Sequence, residues 1–388
     1  MVEAKPAEIQ SRCSNAQTLM ASAAERIDVL LLTTEPDVSY FTGLASQFWH
    51  SPTRPIVLLI PMQGGPIAVV PEIMQSSFRA LPYVERVVSW PSIQKTIVST
   101  LVHELKQLSE HQVVRVATPM NTESHVRIPL LHLFSIAERG VEWVDGSPIV
   151  HATRLVKSPY EIRCVRGACQ IASGVLHSLP LPSVLTEREF ARSVRVALLQ
   201  QGADTAPFVV VSSGGDGCVS IVSGPTDRLL ERGNILCIDV GCTFAGYWCD
   251  FNRNYAIGHA SEASKSAHRV LWDATECALE LIKSKSPTTF GDLWTAMKEY
   301  CVSRGCNPKD YATGRMGHGL GRTLTELPSV ARGEDTVLQT GIVLTLEPCM
   351  RIQDSKEWMV HEECLVITDD GYSLLTTRAP RELMILGL

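Results

Sequence analysis

The chain has 388 residues, 45% of them hydrophobic and 20% charged, with a formal net charge of −6. That composition excludes a disordered, collagenous or low-complexity chain, and the length exceeds what one hydrophobic core serves, so two domains are expected. With both charge signs scattered there is no basic footprint for nucleic acid or an anionic membrane surface, which favours a small molecule or peptide as substrate.

The chain opens with the polar residues Met1 to Pro6 and shows no apolar leader, so the twelve cysteines read as reduced thiols of a cytoplasmic protein. Apolar runs such as residues 56–60 fall far short of the roughly 20 needed to cross a bilayer, so no membrane association is expected. A helix near residues 7–26 precedes short apolar strands at 29–33, 56–60, 67–70 and 113–117, which is an α/β pattern. Trp49 and His50 fall on a loop of this part, with surface placement expected for both.

The stretch from Ala152 to Glu161 reads as a boundary, dividing the chain into residues 1–152 and 153–388. Pro159 suits the first turn of a helix and Ser158 can cap it. That long helix carries Ile162, Val165, Cys169 and Val175 on one face. Thr186 and Glu189 form a capping box for the next, which Gly202 should end, and Gly305 should end a helix over residues 290–304.

Residues 235–257 have strand composition on both sides of a turn at Phe244-Ala245-Gly246 and read as a β-hairpin. Centring the pairing between Phe244 and Ala245 sets Asp239 opposite Asp250. Residues 344–367 repeat the pattern around Asp354-Ser355, with Glu347 opposite Glu362. Opposed carboxylates are destabilising unless something positive lies between them, because burial and like charge both raise their pKa values. Two divalent cations would balance four acids. A fifth ligand would most naturally be imidazole, and His318 sits in Gly317-His318-Gly319-Leu320-Gly321, where glycines let the backbone come close. An oxygen-rich shell with one imidazole suits Mn²⁺, Co²⁺, Fe²⁺ or Zn²⁺.

These residues resemble the creatinase/aminopeptidase P/methionine aminopeptidase superfamily, the M24 or pita-bread metallopeptidases. The features are the IDVG strand with Asp239, the CDFNRNYAIG strand with Asp250, GHGLG with His318, TLEP with Glu347 and HEECLVITDDG with Glu362. Tyr40 to Gly43 and Lys157 to Ile162 are similar to the creatinase-type N-terminal domain of the longer prolidase-like members. The resemblance implies an α/β N-terminal domain and a pita-bread domain whose curved, mainly antiparallel sheet is flanked by helices. It implies two divalent metal ions bound by Asp239, Asp250, His318, Glu347 and Glu362, a metal-bridging hydroxide attacking an amide carbonyl, Glu347 as the base, and a homodimer. Hydrolysis of a small amide or Xaa-Pro peptide is the activity it points to.

The chain also departs from that pattern. Positions where peptidases of the family carry outer histidines hold Val222, Gly314 and Thr325. Imidazole acid–base assistance is worth about 10² to 10⁴-fold, so its loss favours a second class: a lyase similar to dimethylsulfoniopropionate lyases, or a non-peptide hydrolase. A third is a binding module, against which the intact ligand set argues. His361 should not substitute, because adjacent strand residues face opposite ways and Glu362 must face the metals. Cys237, Cys349 and Cys364 each lie two residues from a ligand, as oxidation-sensitive thiols or as small core side chains. Arg253 reads as a structural ion-pair partner, and Glu326 as a carboxylate that holds a ligand or nearby backbone.

Overall fold

The computed structural model describes residues 6–51, 54–91, 95–122, 124–178, 185–218, 224–284, 287–311, 314–353 and 355–387. The chain divides into two compact units, Met1–Arg154 and Leu155–Leu388.

In the first unit, strands β1 (Val29–Leu32), β2 (Val57–Pro61), β3 (Ile67–Pro71), β4 (Arg86–Trp90), β5 (Val114–Thr118) and β6 (Val141–Asp145) form one mixed sheet in the order β4-β3-β2-β1-β5-β6. The side chains of β1 alternate between two cores. Leu30 and Leu32 join one with Leu58, Ile60 and Phe41, while Val29 and Leu31 join the other with Val57, Leu59 and Leu101. A strand buried on both faces must be apolar throughout, which is why VLLL shows no alternation with polar residues. Trp49 is buried rather than at the surface: the Arg127 guanidinium lies 5.8 Å from its ring centroid and donates to its backbone carbonyl, and His50 alone is exposed.

The second unit opens with the helix Pro159–His177, capped as expected by Ser158, whose hydroxyl accepts from the Glu161 amide while the Glu161 carboxylate accepts from the Ser158 amide. Thr186 and Glu189 cap Glu187–Gln200 in the same reciprocal way. Gly202 and Gly305 follow their helices with φ of 103° and 93°, where glycine is favoured.

Strands β7 (Thr205–Ser213), β8 (Ile235–Phe244), β9 (Tyr247–Trp248) and β10 (Phe251–Ile257) belong to one sheet. A second contains β11 (Arg315–Gly319), β12 (Glu326–Ala331), β13 (Val343–Leu346), β16 (Glu363–Thr368) and β17 (Gly371–Leu374), while β14 (Cys349–Arg351) pairs with β15 (Trp358–Val360). The final strand, β18 (Met384–Leu386), runs parallel to β10, and the other pairings of this unit are antiparallel. Helices Glu262–Lys283 and Phe290–Ser303 supply a core with Leu344, Leu346, Leu365 and Ile367, and the two capped helices supply another with Leu236, Ile238 and Val240.

The first hairpin corrects the expected register. Asn252, not Asp250, lies opposite Asp239, and Phe244 pairs with Tyr247. The turn residues are Ala245 and Gly246, with φ of 51° and 72°, so a two-residue left-handed turn closes the ribbon one position later than the sequence suggested. Asp250 thereby sits diagonally from Asp239 on the same face, still within side-chain reach. The second register is as expected. Leu346 pairs with Glu363 and Cys349 with Val360, so Glu347 falls opposite Glu362 at a break between the two ladders. Asp354 of its turn lies outside the described residues.

Candidate metal centre

Five side chains converge from separate strands and connections. Asp239 lies within β8, Asp250 just before β10, His318 in β11, Glu347 just after β13 and Glu362 just before β16. Carboxylate oxygens of Asp239, Asp250 and Glu362 all lie within 4.8 Å of one another. His318 Nε2 is 3.4 Å from Asp250 Oδ2 and 3.5 Å from Glu347 Oε1, which joins the remaining acid to the group.

Local packing fixes the imidazole. Strand β11 passes so close to β13 that a Cβ on Gly317 would come within 2.1 Å of the Thr345 carbonyl oxygen, and Gly317 itself has φ of 144°. The Thr345 hydroxyl then accepts from the His318 amide at 3.1 Å. His318 Nδ1 lies 2.8 Å from the Gly319 carbonyl, which assigns the proton to Nδ1 and turns the Nε2 lone pair toward the carboxylates.

Electrostatics make the group costly without a cation. Burial first, then the charge of Asp250, pushes Asp239 well above the usual carboxylate range. Burial followed by the charges of Asp250, Asp239 and Glu347 does the same to Glu362. Asp250 rises to about 7 through burial, opposed by its hydrogen bond with Asp239 and by the charge of Arg315. Glu347 also rises to about 7 through burial, with His318 pulling the other way. Asp239 Oδ1, Asp250 Oδ1 and Glu362 Oε1 are buried with no hydrogen-bond partner. Leaving such atoms unmatched costs about 1–3 kcal/mol each, more when charged, and a divalent cation removes that cost. Oxygen donors with one imidazole therefore fit the expected cations.

The surroundings separate structural residues from reactive ones. Arg253 donates to the Glu363 carboxylate at 2.9 Å and to the Glu362 carbonyl at 2.7 Å, as an ion-pair partner should. His361 packs edge-on to His268 with centroids 5.8 Å apart and lies near Glu363, on the face away from Glu362. Glu326 accepts from the amides of Arg322 and Thr323 and pairs with Lys157 at 3.1 Å, so it holds the backbone that follows the GHGLG turn. Cys364 is fully buried and its thiol donates to the Asp250 carbonyl, a packing role, while burial raises Cys349 to about 12. Of the three positions lacking outer histidines, Gly314 is exposed, Thr325 is half-buried, and Val222 lies outside the described residues. The sequence reading missed Arg315, which donates to Thr325 Oγ1 at 3.2 Å; an arginine three residues before the ligand histidine was the available signal.

A buried four-acid, one-imidazole group on two antiparallel hairpins, behind a separate α/β unit, defines a metal-dependent hydrolase. The chain belongs to metallopeptidase family M24: that family's model matches residues 163–369, and the creatinase/prolidase N-terminal domain matches residues 12–156. It is 26% identical over 384 residues to a probable dipeptidase PepE of Mycobacterium tuberculosis, covering 95% of this chain and 96% of the relative. It is 24% identical over 361 residues to an Xaa-Pro dipeptidase of Pyrococcus horikoshii, covering 92% and 95%. Its fold is similar to the crystal structure of dipeptidase PepE from Mycobacterium ulcerans, with a TM-score of 0.84, 23% identity and full coverage of both chains. The creatinase-like and pita-bread domains expected from the sequence are thus the domains of this fold.

Proposed function

We propose that this protein hydrolyses an amide bond in a small peptide, with Xaa-Pro dipeptides the first substrates to test, and that Asp239, Asp250, His318, Glu347 and Glu362 hold two divalent cations. Three buried carboxylate oxygens without hydrogen bonds support this reading most directly. The names of the relatives, dipeptidase and Xaa-Pro dipeptidase, agree with it. Divalent ions at such a site lower the pKa of water and polarise a carbonyl.

The chain's own groups divide the remaining work. Glu347 has 23% of its side chain exposed, against 10% for Asp250, so it is the acid with more open access to substrate. A carboxyl near 7 can accept a proton from water and return it to a leaving amine at neutral pH. His318, with Nδ1 committed to a carbonyl, orients rather than shuttles. A cytoplasmic homodimer is the assembly proposed. No helix among the described residues is long and apolar enough to cross a membrane.

The second reading, a non-peptide M24 enzyme, is favoured by Thr325 and Gly314, which put neither imidazole nor other acid–base side chain at those positions. The test is metal analysis of purified protein, then turnover of Xaa-Pro dipeptides, longer Xaa-Pro peptides and small zwitterionic amides with Mn²⁺, Co²⁺ or Zn²⁺. Hydrolysis of the dipeptides supports the first reading. Turnover of the non-peptides alone overturns it in favour of the second.

A further inference from the structure

We propose that Arg315 is a catalytic residue that meets the negative charge developing on the attacked carbonyl oxygen, a role that rests on the hydrolytic reading above. Four observations carry it. Arg315 begins β11, the strand that bears His318, and its side chain is exposed rather than built into a core. Its Nη2 donates to Thr325 Oγ1 at 3.2 Å, which fixes where the guanidinium points. Its positive charge acts on both Asp250 and Glu347, so it faces the acidic group from the open side. The nearby Arg322 is otherwise engaged, lying 5.0 Å over the Tyr247 ring and bonding the Ala245 carbonyl.

Chemistry chooses among the roles such a group could take. A guanidinium stays protonated in proteins, so Arg315 cannot relay a proton as an imidazole would. What it can do is hold negative charge with fixed, directional donors. In amide hydrolysis, water oxygen bonds to the carbonyl carbon and the π pair moves onto the carbonyl oxygen, while Glu347 takes the water proton. The pair then returns as the C–N bond breaks, its electrons pass to nitrogen, and Glu347 returns the proton there. Products are a carboxylic acid and an amine, and no other reactant is needed. Asp250 and Glu347 repel the oxyanion of the middle stage, and Arg315 offsets that repulsion where water would otherwise have to reorganise. Thr325 is then a positioning residue for Arg315.

Binding of two non-hydrolysed ligands by the manganese-loaded protein tests the assignment. One is a phosphinic pseudodipeptide, which mimics the tetrahedral anion; the other is the planar alkene isostere of the same dipeptide. Both carry a terminal carboxamide. Calorimetry should show Arg315→Gln weakening the phosphinate about 10- to 100-fold with the alkene changed less than about threefold. Arg315→Lys should recover part of the loss, and Thr325→Ala should lose less than Arg315→Gln. Equal weakening of both ligands, or no weakening of either, overturns the proposal. So does a third pattern, in which Arg315→Gln weakens only an alkene isostere carrying a free terminal carboxylate, because Arg315 would then read the substrate's end. Thermal denaturation should leave Arg315→Gln within about 2 °C of the parent, as an exposed side chain should. Absence of dipeptide turnover by the parent protein counts against the hydrolytic reading, whereas unchanged phosphinate affinity in Arg315→Gln counts against Arg315 alone.

Discussion

Arg253 holds Glu362 by its backbone: the guanidinium donates to the Glu362 carbonyl at 2.7 Å while a second nitrogen reaches the Glu363 carboxylate at 2.9 Å. Glu363 also accepts from Thr376 Oγ1 and the Ala379 amide, so it is anchored on the face opposite the metal centre. The neighbouring carboxylate of Glu362 is therefore aimed by its partner on the other side of the strand. Arg253→Met should leave Glu363 buried without its cation and cost about 3–5 kcal/mol of stability. Mn²⁺ affinity should fall about 10- to 100-fold as Glu362 loses its aim. Urea unfolding and metal titration read the two effects, and an unchanged metal affinity would separate Arg253 from the site.

Asp250→Ala removes one acid from a buried group of like charges. Metal-free protein should be no less stable than the parent, because repulsion is relieved. Cation-dependent stabilisation should vanish: at 100 times its dissociation constant a ligand adds about 2.7 kcal/mol, and the variant should show none of it. Thermal shifts with and without Mn²⁺ give the answer, and two equivalents still bound by Asp250→Ala would refute the ligand assignment.

Asp250 and Glu347 both stand near 7 in the folded, metal-free protein, above their unfolded values of about 4. A carboxyl with a raised folded value binds its proton more tightly when folded. Its contribution is fully present below about pH 4 and is lost as pH rises through about 7. Metal-free protein should thus lose melting temperature between pH 5 and 7, by about 2–4 °C per kcal/mol lost. Bound Mn²⁺ should flatten that slope, and binding at pH 6 should release protons, seen as a buffer-dependent heat.

Lys157 and Glu326 form a pair with side chains 2% and 6% exposed. Glu326→Gln keeps an acceptor for the Arg322 and Thr323 amides and leaves the Lys157 ammonium without its counter-charge. The expected loss is about 3–5 kcal/mol, with Lys157→Met/Glu326→Leu recovering part of it. Denaturant midpoints measure the cycle.

Cys306 is the thiol most open to alkylation. It is half-buried, and a hydrogen bond from Cys301 lowers it to about 7. Cys237 and Cys364 are buried, and burial raises both. Iodoacetamide at pH 7.5 should label Cys306 first by mass spectrometry and leave Cys237 and Cys364 unlabelled until unfolding.

Much of this was legible in residue types and spacing. Capping residues announced two helices because Ser158–Glu161 and Thr186–Glu189 act locally, within one turn. The second hairpin register followed from its symmetric carboxylates. The first was misread by one position because Ala245 adopts a left-handed backbone that its side chain does not advertise. Trp49 was misplaced because its burial depends on Arg127, distant in sequence. Arg315 escaped notice for the same reason, since its meaning lies in where Thr325 and the acids sit around it.

Asp250, Glu347 and Glu362 share one trait: each occupies a backbone position just outside a hydrogen-bonded ladder, with pairing resumed beside it. Three of the four acids can therefore shift by tenths of an ångström without breaking sheet bonds, while Asp239 and His318 stay fixed in strands. Slack of that kind absorbs differences in ionic radius, so the scaffold itself does not select among first-row cations of similar size. Which ion resides there is then set by supply in the cell.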